Sequence, residues 1–158
     1  METRQTEQLQ QIFQDYSDAV EKARREAVPL AGIFGMRGGV KDDPCHMAFY
    51  NAVGAWVADF AAAQPEEAAV AEAARYLLTA AAHRKGSATY WTCLAAQGHA
   101  KALLTQLPAA HCDALRQEYD RLYPKADRLP INDEIYTLLC RRSGAAPQKN
   151  RWLRLFGK

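Results

Sequence analysis

Asp42, Asp43, Cys45 and His46 fall within five consecutive positions, and they are the residues of this chain best placed to do chemistry. A thiol in the first turn of a helix sits beside unpaired backbone N–H groups and the positive end of the dipole. Both favour the nucleophilic thiolate. The two aspartates act against this, because negative charge nearby raises a thiol's pKa. His46 follows Cys45 directly, so its side chain leaves the helix about 100° further round and is poorly aimed at the thiol. A base for Cys45 is therefore expected from another element, His99 or His111, with Asp42 or Asp43 to orient it. His46 can instead pair with Asp42 one turn earlier, an arrangement that needs no catalytic purpose. The catalytic candidates are Cys45, His46, Asp42, Asp43 and His99.

A ligand cleft, if the chain builds one, is expected between the Asp42–Tyr50 turn and the Tyr90–His99 stretch. Tyr50, Trp56, Tyr90, Trp91 and Gln97 are its candidate lining. The alternative reading is plain packing, since aromatic residues at helical spacing are usually core. Gln97 and His99 read as residues of a solvated face.

Other chemistries find less support. Helical metal sites use HExxH or paired ExxH motifs, and neither occurs, so no metal and no cofactor is expected. Gly32, Gly35, Gly38 and Gly39 match no phosphate-loop motif, because no GxxxxGK[ST] or GxGxxG is present. A formal net charge of +2 and basic residues interspersed with acidic ones argue against nucleic acid. Cys45, Cys93, Cys112 and Cys140 contain no CxxC pair and read as reduced thiols of a cytoplasmic protein. No apolar run approaches the roughly 18 residues of a membrane span, and the polar start METRQTEQLQQ lacks a signal-peptide core.

The elements that must position these residues are helical. Ala, Leu, Gln, Glu and Arg outweigh the β-branched residues, and 158 residues suffice for one domain with its own core. Leu9, Ile12, Phe13, Tyr16 and Val20 predict a first helix from Thr6, its N-cap, to about Ala27, ended by Pro29. A Gly-rich loop, 31–41, follows. Asp43 as N-cap and Pro44 at the first helical position predict the start of a second helix. Phe49, Val53, Trp56 and Phe60 are its buried stripe, and Cys45 begins the same stripe. A third helix follows Pro65, with Val70, Ala73, Ala74, Leu77, Leu78 and Ala81 inward, and ends near Arg84. The fourth opens at Ser87 with Tyr90, Trp91, Leu94, Ala95, Gly98 and Ala102 as its apolar side, continued by Leu103 and Leu104. Pro108 starts a fifth, carrying Cys112, Leu115, Tyr119 and Leu122. Ile131, Ile135, Leu138 and Leu139 mark a sixth that ends near Arg142.

The fold expected is an all-α, single-domain bundle of about six helices, four longer ones forming the core. It would span residues 1–142, with 143–158 a linker and a short basic amphipathic segment. In that segment Trp152, Leu153 and Phe156 stand among Arg151, Arg154 and Lys158, a pattern suited to an acidic partner or weak contact with a membrane surface. The function expected is binding to another protein or to a second copy of the chain, without catalysis. The alternatives are a hydrolase or transferase using Cys45 or His46, and a small-ligand binder.

Overall fold

The computed structural model describes residues 4–34, 45–82 and 87–145, with side chains omitted at 24, 27–34 and 87–90. Among them are six α-helices and no strand: α1 Arg4–Phe34, α2 His46–Ala62, α3 Glu67–Thr79, α4 Ser87–Leu104, α5 Ala109–Leu122 and α6 Pro130–Ser143. A 3-10 turn at Lys125–Asp127 joins α5 to α6. The all-α bundle follows from the periodicity.

Helix α1 buries Leu9, Phe13 and Tyr16 on one face. Its opposite face is stitched by Gln11–Asp15, Gln14–Asp18 and Glu21–Arg25 contacts at i,i+4 spacing. It starts earlier than expected, so Thr6 is not a cap but lies within the helix, buried. It also runs past Pro29 to Phe34, and residues 31–34 of the expected loop belong to it. A proline removes one N–H from the helical ladder, and this helix tolerates that loss.

Helix α2 begins at His46, two residues beyond the start that Asp43 and Pro44 suggest. Its first carbonyl is Cys45 O, which accepts from Phe49 N at 3.0 Å, and the Cys45 side chain makes no capping bond. Asp42, Asp43 and Pro44 lie outside the described residues, as do 35–41, His83 and the whole segment from 146, including Trp152, Leu153 and Phe156. Helix α6 ends on Gly144, whose φ of 75° is the left-handed conformation that glycine adopts without strain.

The helices pack in a definite order. Trp56 Nε1 on α2 donates to Gln5 O near the start of α1, while Tyr16 stacks on Phe49, so α1 and α2 are antiparallel. His46 meets Trp91 and Tyr50 meets His99, so α2 and α4 run in parallel. Helix α4 packs against α2, α3 and α6 and is the centre of the bundle. Its inward side matches the expected one at Ala95, Leu103 and Leu104 and departs from it elsewhere. Thr92, Cys93, Ala95, Ala96, Gln97, Ala100, Leu103 and Leu104 are buried, whereas Ala102 is exposed and Gly98 faces open space. A helix enclosed on several sides carries no single apolar stripe to read.

Candidate functional site

Where the cleft between α2 and α4 is expected, rings pack in pairs, and a depression reaching Tyr50, Leu94 and Gly98 opens beside them. His46 and Trp91 stack with centroids 4.1 Å apart, and Tyr50 and His99 lie 4.4 Å apart. Trp56 belongs elsewhere: it stacks on Phe60 at 4.8 Å and its indole N–H anchors α1. The side chain of Tyr90 is outside the described set.

Cys45 and His46 part company. The imidazole goes to Trp91 on α4, while the partly exposed thiol lines a groove on the α1 side of α2. His99 packs one turn and more away, against Tyr50 and Gly54. The described residues of the expected thiol chemistry are thus distributed over two sides of α2. A second adjacent pair, His111 and Cys112 at the start of α5, also separates: His111 reaches Glu67 at 2.9 Å, and Cys112 is buried against the Leu104 and Leu107 carbonyls. Burial pushes the Cys112 and Cys93 thiols up from their ordinary pKa. A raised pKa favours the inert thiol over the thiolate.

Gln97 is the largest departure from expectation. It is 0 % exposed, and its amide joins α4 to three neighbours. Its Oε1 accepts from the Tyr119 hydroxyl at 2.5 Å and from Asn132 Nδ2 at 3.0 Å, and its Nε2 donates to Leu78 O at 3.4 Å. Asn132 Nδ2 also donates to the Tyr119 hydroxyl at 2.9 Å, and Asn132 Oδ1 accepts from Leu129 N at 2.9 Å. Tyr123 donates to the same Leu78 carbonyl at 3.1 Å. Burial raises the pKa of both tyrosines, so they remain protonated donors. Arg128 closes the far side, its side chain 4 % exposed, bonded to Tyr123 O and Asp120 and lying 3.9 Å over the Tyr136 ring. Each polar group of this cluster is directed at another part of the protein, which is how a buried network positions helices. Asn132 stands at the start of the stripe Asn132, Ile135, Tyr136, Leu139, and that polar intruder is the one sequence signal of the cluster.

A larger groove among the described residues lies elsewhere. Of about 400 Å³, it runs between α1 and α2, lined by Ile12, Tyr16, Ala19, Ala48, Phe49 and Ala52, with Asp15 and Cys45 also in its wall. Its floor is the Tyr16–Phe49 stack, centroids 4.2 Å apart, backed by the edge of Phe13 on Phe49 at 5.1 Å. Three alanines supply the room, since no side chain longer than a methyl group rises from those positions. Ala48 and Ala52, spaced i,i+4 beside Phe49, are the legible sign of it.

The depression beside the paired rings, of about 360 Å³, lies among Tyr50, Leu94, Gly98, Leu129, Pro130 and Ile131, with the Lys101–Glu134 ion pair, 2.6 Å, also in its wall. Those two charges satisfy each other. Among the described residues no group of three His, Cys, Asp or Glu side chains is gathered to hold a metal ion, and no helix is long and apolar enough to cross a membrane. In comparison with known proteins, no family model, no curated protein and no solved structure matches this chain.

Proposed function

We propose that the protein is a non-catalytic helical module that binds a segment of another protein in the α1–α2 groove. The observation that carries this reading is the groove itself, an open apolar trough over an aromatic floor. Its volume is that of a site for a few side chains rather than for a whole domain. An amphipathic helix fits such a trough by placing residues at i, i+3, i+4 and i+7 along it. The alanines allow its backbone to approach, Tyr16 and Phe49 provide the desolvated anchor, and Asp15 favours a basic residue at the margin. Burial of two or three apolar side chains contributes roughly 1.5–3 kcal/mol each, offset by the cost of association. That balance suits a regulated, reversible complex. A second copy of the chain is the other occupant that such a surface could take.

Photo-crosslinking tests this reading. A photoreactive residue replaces Ala48 in the groove and, as a control, exposed Ala114 on α5. Discrete adducts from position 48, absent from position 114 and lost when Ala52→Arg is added, are the expected result. A homodimeric adduct, with mass rising with concentration in light scattering, identifies a second copy as the occupant. Adduct patterns that do not differ between the two positions, or that survive Ala52→Arg, remove the groove from consideration.

A further inference from the structure

Helices α1 and α2 form an arm that meets the α3–α6 body through α2 on α4, with an edge-on Phe13–Tyr76 contact as a further tie. Gly54 and His99 face each other at the joint. A Cβ at residue 54 would stand 2.7 Å from His99 Cε1 and 3.0 Å from Nε2, so the imidazole occupies the space a side chain there would need. Tyr50 packs its ring against the same imidazole. The Nε2 atom is enclosed and has no hydrogen-bond partner among the described residues.

We infer that His99 is a proton-sensitive latch, tight when the imidazole is neutral and loosened, arm against body, when it takes up a proton. A neutral imidazole leaves one ring nitrogen without hydrogen and tolerates an unpaired acceptor. The imidazolium has two N–H donors, and one of them would be sealed in without an acceptor, beside a net charge. Apart from a hydrogen bond with the Tyr50 backbone, the groups around the ring offer no relief. The titratable groups of α2 are Tyr50, His46 one turn before it, which stacks on Trp91, and the exposed Asp59, five residues past Gly54. On α4 itself Lys101 is tied to Glu134 of α6. The buried residues of α3 are all apolar. Among the described residues no carboxylate lies within ion-pair distance of His99.

The direction of titration agrees with the geometry. Burial holds His99 below the usual histidine range, opposed in part by a hydrogen bond with the Tyr50 backbone. A depressed histidine pKa means that the contribution to folding is complete above the unfolded value, about 6.5, and is lost as pH falls towards and through the folded value. The consequence for binding rests on the groove reading, since the arm carries the groove; the latch itself does not.

Hydrogen exchange followed by mass spectrometry on the full chain tests it without any partner, so its failure and that of the groove reading are separate results. After correction for intrinsic rates, protection of the α2 amides is expected to fall, by at most about tenfold, between about pH 7.5 and about pH 5.5, while α5 and α6 keep theirs. His99→Phe, which keeps a ring and cannot titrate, should abolish that difference. A loss spread evenly over all helices, or one that persists in His99→Phe, overturns the latch. If His99→Phe does not fold, the imidazole carbon protons of the unaltered chain decide by NMR, and a pKa at or above the ordinary histidine value overturns it.

Discussion

Gln97 and His99 stand two residues apart on α4, and their surroundings are opposite. Gln97 is turned into the α3, α5 and α6 side, where every polar atom it offers is matched. His99 is turned to α2, where one ring nitrogen is buried and unmatched. The first face is specified by hydrogen bonds that can be satisfied in one register only. The second is specified by shape, an imidazole set against a glycine. A satisfied network resists change and belongs to the part of a protein that stays folded. An unmatched buried nitrogen is a weak point whose cost depends on protonation. One helix thus joins a rigid half to a half that pH can loosen.

Breaking the rigid face should have the largest effect. Gln97→Leu removes the hydrogen bonds of Gln97 to Tyr119, Asn132, Leu78 and the Cys93 sulfur, leaving the Tyr119 O–H without its acceptor and Asn132 Nδ2 with the Tyr119 oxygen alone. A loss of roughly 2–4 kcal/mol is expected. It would register as a fall in Tm of roughly 5–15 °C by calorimetry. A change under about 1 kcal/mol would mean that the network is not the anchor described.

Crowding the weaker face should rank next. Gly54→Ala places a methyl group against the His99 ring, which must shift within a packed interface, at a cost of roughly 1–3 kcal/mol in urea denaturation. Combining it with His99→Ala, which vacates the space, should recover part of that loss. Strict additivity of the two changes would show that the residues do not touch.

The smallest effect is expected outside both faces. Arg75 and Glu118 tie α3 to α5 through two hydrogen bonds at 2.7 and 2.8 Å, with Arg75 largely exposed. Arg75 holds the Glu118 carboxyl below its ordinary pKa, so this pair contributes above that value and fades as pH falls through the folded one. Solvent screening limits Arg75→Ala to about 0.5 kcal/mol. A pH profile of its stability in which the acid limb shifts while the His99 region is unaltered would show that the two titrations are separate.

What can be read from the residues themselves differs from helix to helix. On α2 the stripe Phe49, Val53, Trp56, Phe60 is buried as its spacing requires, and α3 buries Val70, Ala73, Ala74, Leu77 and Leu78, with Ala81 buried just beyond its end. These helices lie at the edge of the bundle, where one side is water and the other core, so period and burial coincide. Helix α4 has neighbours on several sides and no such contrast, so periodicity finds Ala95, Leu103 and Leu104 but misses Thr92, Cys93 and Gln97. Polarity alone puts Gln97 in solvent. The partners that make its burial tolerable, Tyr119 and Asn132, come from 22 and 35 positions away. Cys45 and His46 are legible as a pair, but which neighbour each side chain meets is not.

Local chemistry alone determined that this chain is helical, roughly where most of the described helices begin and end, and which residues of the outer helices face inward. Those properties depend on propensity, capping and a repeat of about 3.6 residues, all of which act within a few positions. Tertiary structure decided the rest: that α4 is central, that Gln97 completes a network and His99 abuts a glycine, and that Ala19, Ala48 and Ala52 leave a groove. Each of these depends on which surfaces of distant segments come together, and packing and hydrogen-bond matching settle that only when the whole bundle has closed.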